Sequence, residues 1–340
     1  MTGSTTTAAI ALGAIALAAG TVILYQAERP PIDSIQRGYR GTGMVELYNP
    51  RIVRDELEAN KVPLSLPRLP DAGAKAGAVY KNVKVLGDES VGNFTRLMAS
   101  ITTWVAPTQG CAYCHDVQNM AADTLYTKVV ARRMIQMVQH VNSGWKTHVA
   151  ETGVTCYTCH RGQPVPAQIW FNNPGPVQAG GMAQSPAGKN HPAAAANESS
   201  LPYDPFTPFL EGDANVRVVA QQALPGTDRQ SIKQTEWTYS LMAHFSQSLG
   251  VNCTFCHNTR SFTDWEQSTP QRMTAWYGIR MVRDLNTNFL DPLHTVFPPA
   301  RLGPEGDSPK VNCATCHNGV YKPLFGVSMV KDFPELTVAP

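Results

Sequence analysis

The chain of 340 residues is poor in charge. Asp, Glu, Lys and Arg make up 16% of it, and 28 basic residues nearly cancel 26 acidic ones to leave +2. Ordinary soluble domains carry roughly 25% charged residues. The near-neutral balance supplies no basic field for a nucleic-acid partner, and the scarcity of charge excludes long charged helices and coiled coils. Histidine is also sparse, at nine residues, and no cysteine stands alone. What the chain does have is a hydrophobic fraction of 43%, with 26 Gly and 26 Pro. That excludes disorder throughout, and the length suggests two packing units.

All eight cysteines fall in pairs with histidine directly after: Cys111 and Cys114 before His115, Cys156 and Cys159 before His160, Cys253 and Cys256 before His257, Cys313 and Cys316 before His317. C-x-x-C-H is the attachment pattern of c-type haem, in which both thiols add to the porphyrin vinyl groups and the histidine reaches the iron. A disulfide framework would leave the four coupled histidines unexplained. Zinc pairs do not demand histidine at the next position, and a thioredoxin-like motif needs a single copy in a βαβ context. The pattern predicts four haem c groups and places the body of the chain in the periplasm, outside the cytoplasm.

Ala8 to Tyr25 is a run of eighteen uncharged, mostly apolar residues. That reaches the lower limit of about 17–25 for crossing a bilayer core. The small residues Ala16, Ala18 and Ala19 resemble a signal-peptide cleavage site. The residues before the run, however, hold no Lys or Arg, and the run exceeds the usual signal core. A retained transmembrane anchor with a short cytoplasmic N-terminus is the expectation.

The predicted fold is mainly α with extensive irregular segments: a multihaem cytochrome c of two pseudo-repeated two-haem modules behind an N-terminal transmembrane helix. The expected divisions are the anchor at 1–25, an irregular wrapping segment at 26–79, a first module at 80–163, a Pro/Gly/Ala-rich surface linker at 164–214, a second module at 215–321 and a tail at 322–340. Matching segments recur in order in the two halves. Met98 in Arg96-Leu-Met-Ala stands 17 residues before His115, and Met242 in Ser240-Leu-Met-Ala stands 15 before His257. Between the haem motifs, Met134-Ile-Gln-Met137-Val-Gln-His140-Val-Asn142 matches Gly278-Ile-Arg-Met281-Val-Arg-Asp284-Leu-Asn286.

Each iron needs a sixth ligand, and methionine raises a haem potential relative to a second imidazole. Outside the motifs the histidines are His140, His148, His191, His244 and His294, too few for comfortable bis-histidine ligation throughout. Met98 shares an apolar helical face with Phe94, Ile101 and Val105, and Met242 occupies the matching place beside Phe245 and Leu249. Met134 is in phase with Val130, Val138 and Val141, whereas Met137 sides with Arg133 and His140, so Met134 is the expected ligand of the second iron. At the fourth site the matching residue is Gly278, which offers no ligand but leaves room for an incoming imidazole. His148 and Met281 both remain open there, with His148 favoured. Arg272 and Arg280 could pair with propionates or simply cover a solvated face.

The segment Trp145-Lys-Thr-His148-Val-Ala-Glu-Thr-Gly-Val-Thr-Cys156-Tyr-Thr-Cys159-His160-Arg-Gly-Gln-Pro164, within a likeness spanning residues 30 to 325, resembles the tetrahaem cytochrome c subunit of the purple-bacterial photosynthetic reaction centre. The resemblance implies three His/Met haems, with Met98, Met134 and Met242, and one bis-histidine haem pairing His148 with His317. It implies an electron-transfer protein rather than an enzyme. Its partners would be the reaction-centre core with the bacteriochlorophyll special pair, and a small cytochrome c or high-potential iron–sulfur protein as donor. It further implies the spatial order third, fourth, second, first, with the haem of Cys253 and His257 terminal. Lipid-anchored relatives carry an N-terminal cysteine; this chain has none, and its apolar helix would anchor it in the inner membrane and touch the light-harvesting ring. A membrane-anchored tetrahaem quinol dehydrogenase would be a shorter chain with mostly bis-histidine ligation, and a multihaem reductase would need an open or Lys-bound iron.

Overall fold

The computed structural model describes residues 3–27, 33–36, 45–173, 193–196, 199–218 and 232–338. The first helix, α1 (Gly3–Gln26), holds the one stretch among the described residues long and apolar enough to cross a membrane, Ala9–Gln26, with mean hydropathy 1.9 and none of it buried against the protein. A short antiparallel pair follows, β1 (Asp33–Gln36) against β2 (Val45–Tyr48), with Asp33 opposite Tyr48. Then comes α2 (Pro50–Ala59). Asn49 caps it by accepting from the Arg51 amide at 3.0 Å, and Pro50 opens it where no amide is needed. This amphipathic turn of chain is a regular element inside the segment expected to be irregular.

The haem-motif region is helical. It runs through α3 (Ala76–Val79), α4 (Val91–Val105), α5 (Tyr126–Gly144), α6 (Lys146–Val149) and α7 (Cys156–His160). After β3 (Ile169–Trp170) come α8 (Ile232–Leu249), α9 (Pro270–Leu285), β4 (Lys310–Val311) and α10 (Cys313–His317). Helix α4 stops before Pro107. Helix α8 stops at Gly250, whose φ of +61° suits a residue without Cβ; a Cβ there would meet the Gly319 carbonyl oxygen at 2.1 Å. Sheet is confined to two two-stranded pieces among the described residues.

Two apolar clusters hold these elements. One gathers Ile279, Met281, Val282 and Leu285 of α9 with Leu241 of α8, Val141 of α5, Trp170, Phe206, Leu210 and Val311. The other joins Leu97 and Trp104 of α4, Ile135 and Val138 of α5 and Cys156 of α7 to Leu324, Met329, Val330, Phe333 and Leu336. The residues after Tyr321, read from sequence as a tail, are thus a wall of the first half. Arg96 of α4 fixes them: its guanidinium donates to the Asp332 carbonyl at 2.7 Å, pairs with Glu335 at 3.0 Å and lies 4.2 Å from the Phe333 ring centre. Both charged side chains are almost fully buried, and removing one partner of such a pair costs about 3–5 kcal/mol.

The stretch read as a surface linker also packs where it is described. Trp170 donates its indole N–H to the Val311 carbonyl at 3.0 Å, and Pro202, Pro205 and Phe206 are buried. Proline and aromatic faces fill a core without needing periodicity, which is why composition alone suggested a linker. Residues 174–192, including His191, lie outside the described residues.

Candidate haem sites

The first and third cysteine pairs sit on single 3-10 turns, Gly110–Tyr113 and Cys253–Phe255, with Cys111 and Cys253 exposed. The second and fourth form the short helices α7 and α10, each opened by a capping box: Thr155 with Thr158, and Asn312 with Thr315. Burial pushes the thiols up, Cys114 and Cys256 to about 11 and Cys156 and Cys313 to about 12. As free thiols these four are held in the protonated form by burial. The Cys159 thiol is raised further because it hydrogen-bonds Cys316, which puts the second and fourth attachment helices side by side.

All four motif histidines are held in one tautomer. The Nδ1 atoms of His115, His160, His257 and His317 lie 3.0, 2.9, 2.9 and 3.1 Å from the carbonyls of Met120, Gln163, Phe262 and Val320. A carbonyl can only accept, so Nδ1 carries the proton and Nε2 keeps the lone pair a metal requires. Burial lowers the pKa of His160 and His257, and burial with the neighbouring His148 takes His317 down to about 4, favouring neutral, ligating rings. The donor set and its fixed tautomers fit haem c.

Of the expected distal residues, Met98, Met134 and Met242 are all half-buried. Met98 stands on the half-buried side of α4 with Phe94, Ile101 and Val105, while Asn93, Leu97, Ser100 and Trp104 take the buried side. Met134 and Met137 both border the α9 cluster. Met281, the rival at the fourth site, is itself part of that cluster, only 6% exposed. His148, on α6, crosses to α9, where its Nδ1 donates to the Thr274 carbonyl at 2.9 Å. It rests against Gly278: a Cβ there would stand 2.6 Å from its Cε1 and 3.3 Å from its Nε2. Its ring centre is 6.1 Å from that of His317. Two imidazoles sharing a metal at bonds of about 2 Å have ring centres roughly 6 Å apart. That spacing would let both rings hold one metal between them.

Residues that sequence reading did not single out support these positions. Asn142 of α5 and Asn286, directly after α9, are matching residues doing one job. Asn142 accepts from the Val154 amide at 2.8 Å and donates to the Val154 carbonyl at 2.9 Å and the Leu336 carbonyl at 2.8 Å. Asn286 accepts from the Val311 amide at 2.9 Å and donates to the Val311 and Leu210 carbonyls at 3.0 and 2.9 Å. Each fixes the backbone two residues before a cysteine pair, and their place in the matched segments was the available signal. Asp284 accepts from the His140 ring at 2.6 Å and the Trp145 indole at 2.7 Å, tying α9 to α5 and to the start of α6. His244 is buried beside Ser248, and burial together with His317 takes it down to about 3. Arg272 and Arg280, weighed from sequence as propionate partners or a solvated face, place their guanidinium carbons 4.8 and 4.7 Å from the ring centres of Trp265 and Trp276.

Residues 28–337 match the family described as photosynthetic reaction centre cytochrome C subunit. The chain is 53% identical over 335 residues to the photosynthetic reaction center cytochrome c subunit of Rubrivivax gelatinosus, covering 98% of this chain and 90% of the relative. It is 52% identical to that of Thermochromatium tepidum, over 93% of this chain and 78% of the relative, and 43% identical to that of Roseobacter denitrificans, over 89% and 85%. Cysteine pairs with tautomer-fixed histidines, a glycine cradling a second imidazole, and likeness along nearly the whole chain lead to one assignment: the chain belongs to the family of reaction-centre cytochrome c subunits, haem c proteins of electron transfer in photosynthesis.

Proposed function

We propose that the chain carries four covalent haem c groups, on Cys111/Cys114, Cys156/Cys159, Cys253/Cys256 and Cys313/Cys316, arranged as two pseudo-repeated pairs. Its axial ligands are His115 with Met98, His160 with Met134, His257 with Met242, and His317 with His148. It delivers electrons from a soluble periplasmic donor, a small cytochrome c or a high-potential iron–sulfur protein, to the photo-oxidised special pair of the reaction-centre core. The helix α1 anchors it in the photosynthetic membrane with the haem body in the periplasm. The observation that carries this reading is His148 lying over Gly278 at 6.1 Å from His317.

Bound haem c supplies one-electron chemistry at a potential set by its axial ligands. The chain's own part is to hold each imidazole in its ligating tautomer through the carbonyls of Met120, Gln163, Phe262 and Val320. It also places Met or His opposite, which raises or lowers each potential. The contact of Cys159 with Cys316 supports adjacency of the second and fourth sites, and the exposure of Cys111 and Cys253 supports the first and third as outer sites. Potentiometric titration of the membrane-bound protein is expected to resolve four components, one moving upward in His148→Met and another downward in Met242→His. A His148→Met variant that moves no component makes Met281 the residue to test, and a protein titrating wholly at low potential would reopen the quinol dehydrogenase reading.

A further inference from the structure

We propose that Lys128 is a positioning and tuning residue of the first haem, raising its potential through the carbonyl that holds His115. The inference rests on the reading of His115 and Met98 as axial ligands. The Met120 carbonyl accepts from two groups at once, His115 Nδ1 at 3.0 Å and Lys128 Nζ at 2.9 Å. Lys128 is only 7% exposed although it is a lysine. Its remaining donors go to the Ala122 carbonyl at 2.7 Å and to Asp123 at 3.3 Å. The loop after the first cysteine pair is thus folded around one buried ammonium.

The second half makes the comparison. Lys128 stands six residues before Met134, and Arg272 stands six before Gly278. Arg272 braces the corresponding loop, but from farther out: it donates to the Asp264 carbonyl at 2.9 Å, two residues beyond the Phe262 carbonyl that holds His257. Of the two buried lysines among the described residues, Lys310 pairs with Asp307, and Lys128 alone shares a carbonyl with a motif histidine.

The sign follows from two effects that agree. A carbonyl oxygen already bonded to an ammonium is a weaker acceptor for the imidazole N–H, so the ring keeps less anionic character and donates less density to the iron. The ammonium also disfavours the more positive, oxidised iron directly. Asp123 does not cancel it, because the same carboxylate is shared with Arg132 at 2.9 Å and Lys84 at 3.4 Å. The Asp123 carboxylate faces three cations, and with Asp116 of the same loop counted two anions stand against three cations, a balance that stays positive.

The test is redox titration of the full-length, haem-loaded protein, with the first site identified as the component that Met98→His lowers. Lys128→Met is expected to lower that component by roughly tenfold in its reduction equilibrium, about 59 mV for one electron, leaving the other three in place. Lys128→Arg, which keeps a cation, should restore it. Asp123→Asn removes the anion while keeping Lys128, and should move the same component upward. An unmoved component in Lys128→Met at full haem content, or an equal shift of all four, overturns the proposal. If Lys128→Met does not assemble, Asp123→Asn decides, and no upward shift overturns it. Failure of Met98→His to move any component would instead overturn the ligand assignment itself.

Discussion

Gly278 is the residue on which the fourth site turns. A methyl group there would sit 2.6 Å from the His148 ring, closer than van der Waals contact allows, so the ring or α9 must give way. Gly278→Ala is expected to cost about 1–3 kcal/mol in strain. It should also displace His148, and with the proposed ligands this changes the electron paramagnetic resonance signature of the His148/His317 component while the signals of the proposed His/Met haems persist. An unchanged signature would place His148 elsewhere. The break in the repeat at Gly278 was legible in the sequence because an absent side chain at a repeated position is visible without coordinates. The choice between His148 and Met281 was harder, since nothing in the spacing tells that α6 turns back across α9; the structure gives Met281 a core position and His148 the cradle.

The elements divide by how local their causes are. The ends of α4 and α8 were readable because Pro107 and Gly250 act on their own neighbourhoods. The carboxamides of Asn142 and Asn286 were not, because the backbone groups they hold lie 12 and 25 residues onward. Asn142→Ala would leave the buried carbonyl of Leu336 without that partner, at about 1–3 kcal/mol, and would also strip the half-buried amide and carbonyl of Val154. The expected result is a lowered Tm, measured by circular dichroism, and a shift confined to the second haem's potential; the same change at Asn286 should shift the fourth. Equal effects on all sites would mean that the asparagines act only on global stability. The α2 helix and the core packing of the 322–338 segment also escaped sequence reading, the latter because its short 3-10 turns have no apolar period.

Across the whole molecule, matching segments of the two halves meet each other at His140 and Asp284. Burial works against the Asp284 carboxylate, but hydrogen bonds from Asn288, His140 and Trp145 prevail and hold its pKa below the ordinary 3.8. A depressed carboxylate contributes stability in full above its unfolded pKa and loses it as the pH falls through the folded value. The wild type should therefore lose stability faster than Asp284→Asn below about pH 4, as followed by denaturant unfolding at a series of pH values. Parallel curves for the two proteins would show that the carboxylate's charge is not what joins the halves.

The closure of the first half by residues 324–336 fixes an order of events in making the protein. The segment bearing the first two cysteine pairs is made well before Phe333, Glu335 and Leu336, which complete its core. Until they pack, Arg96 lacks the Glu335 carboxylate, and the cluster holding Leu97, Trp104 and Cys156 lacks Val330, Phe333 and Leu336, so this half stays open. Covalent loading of the buried Cys156 thiol is expected to precede that closure, while the chain is still reachable.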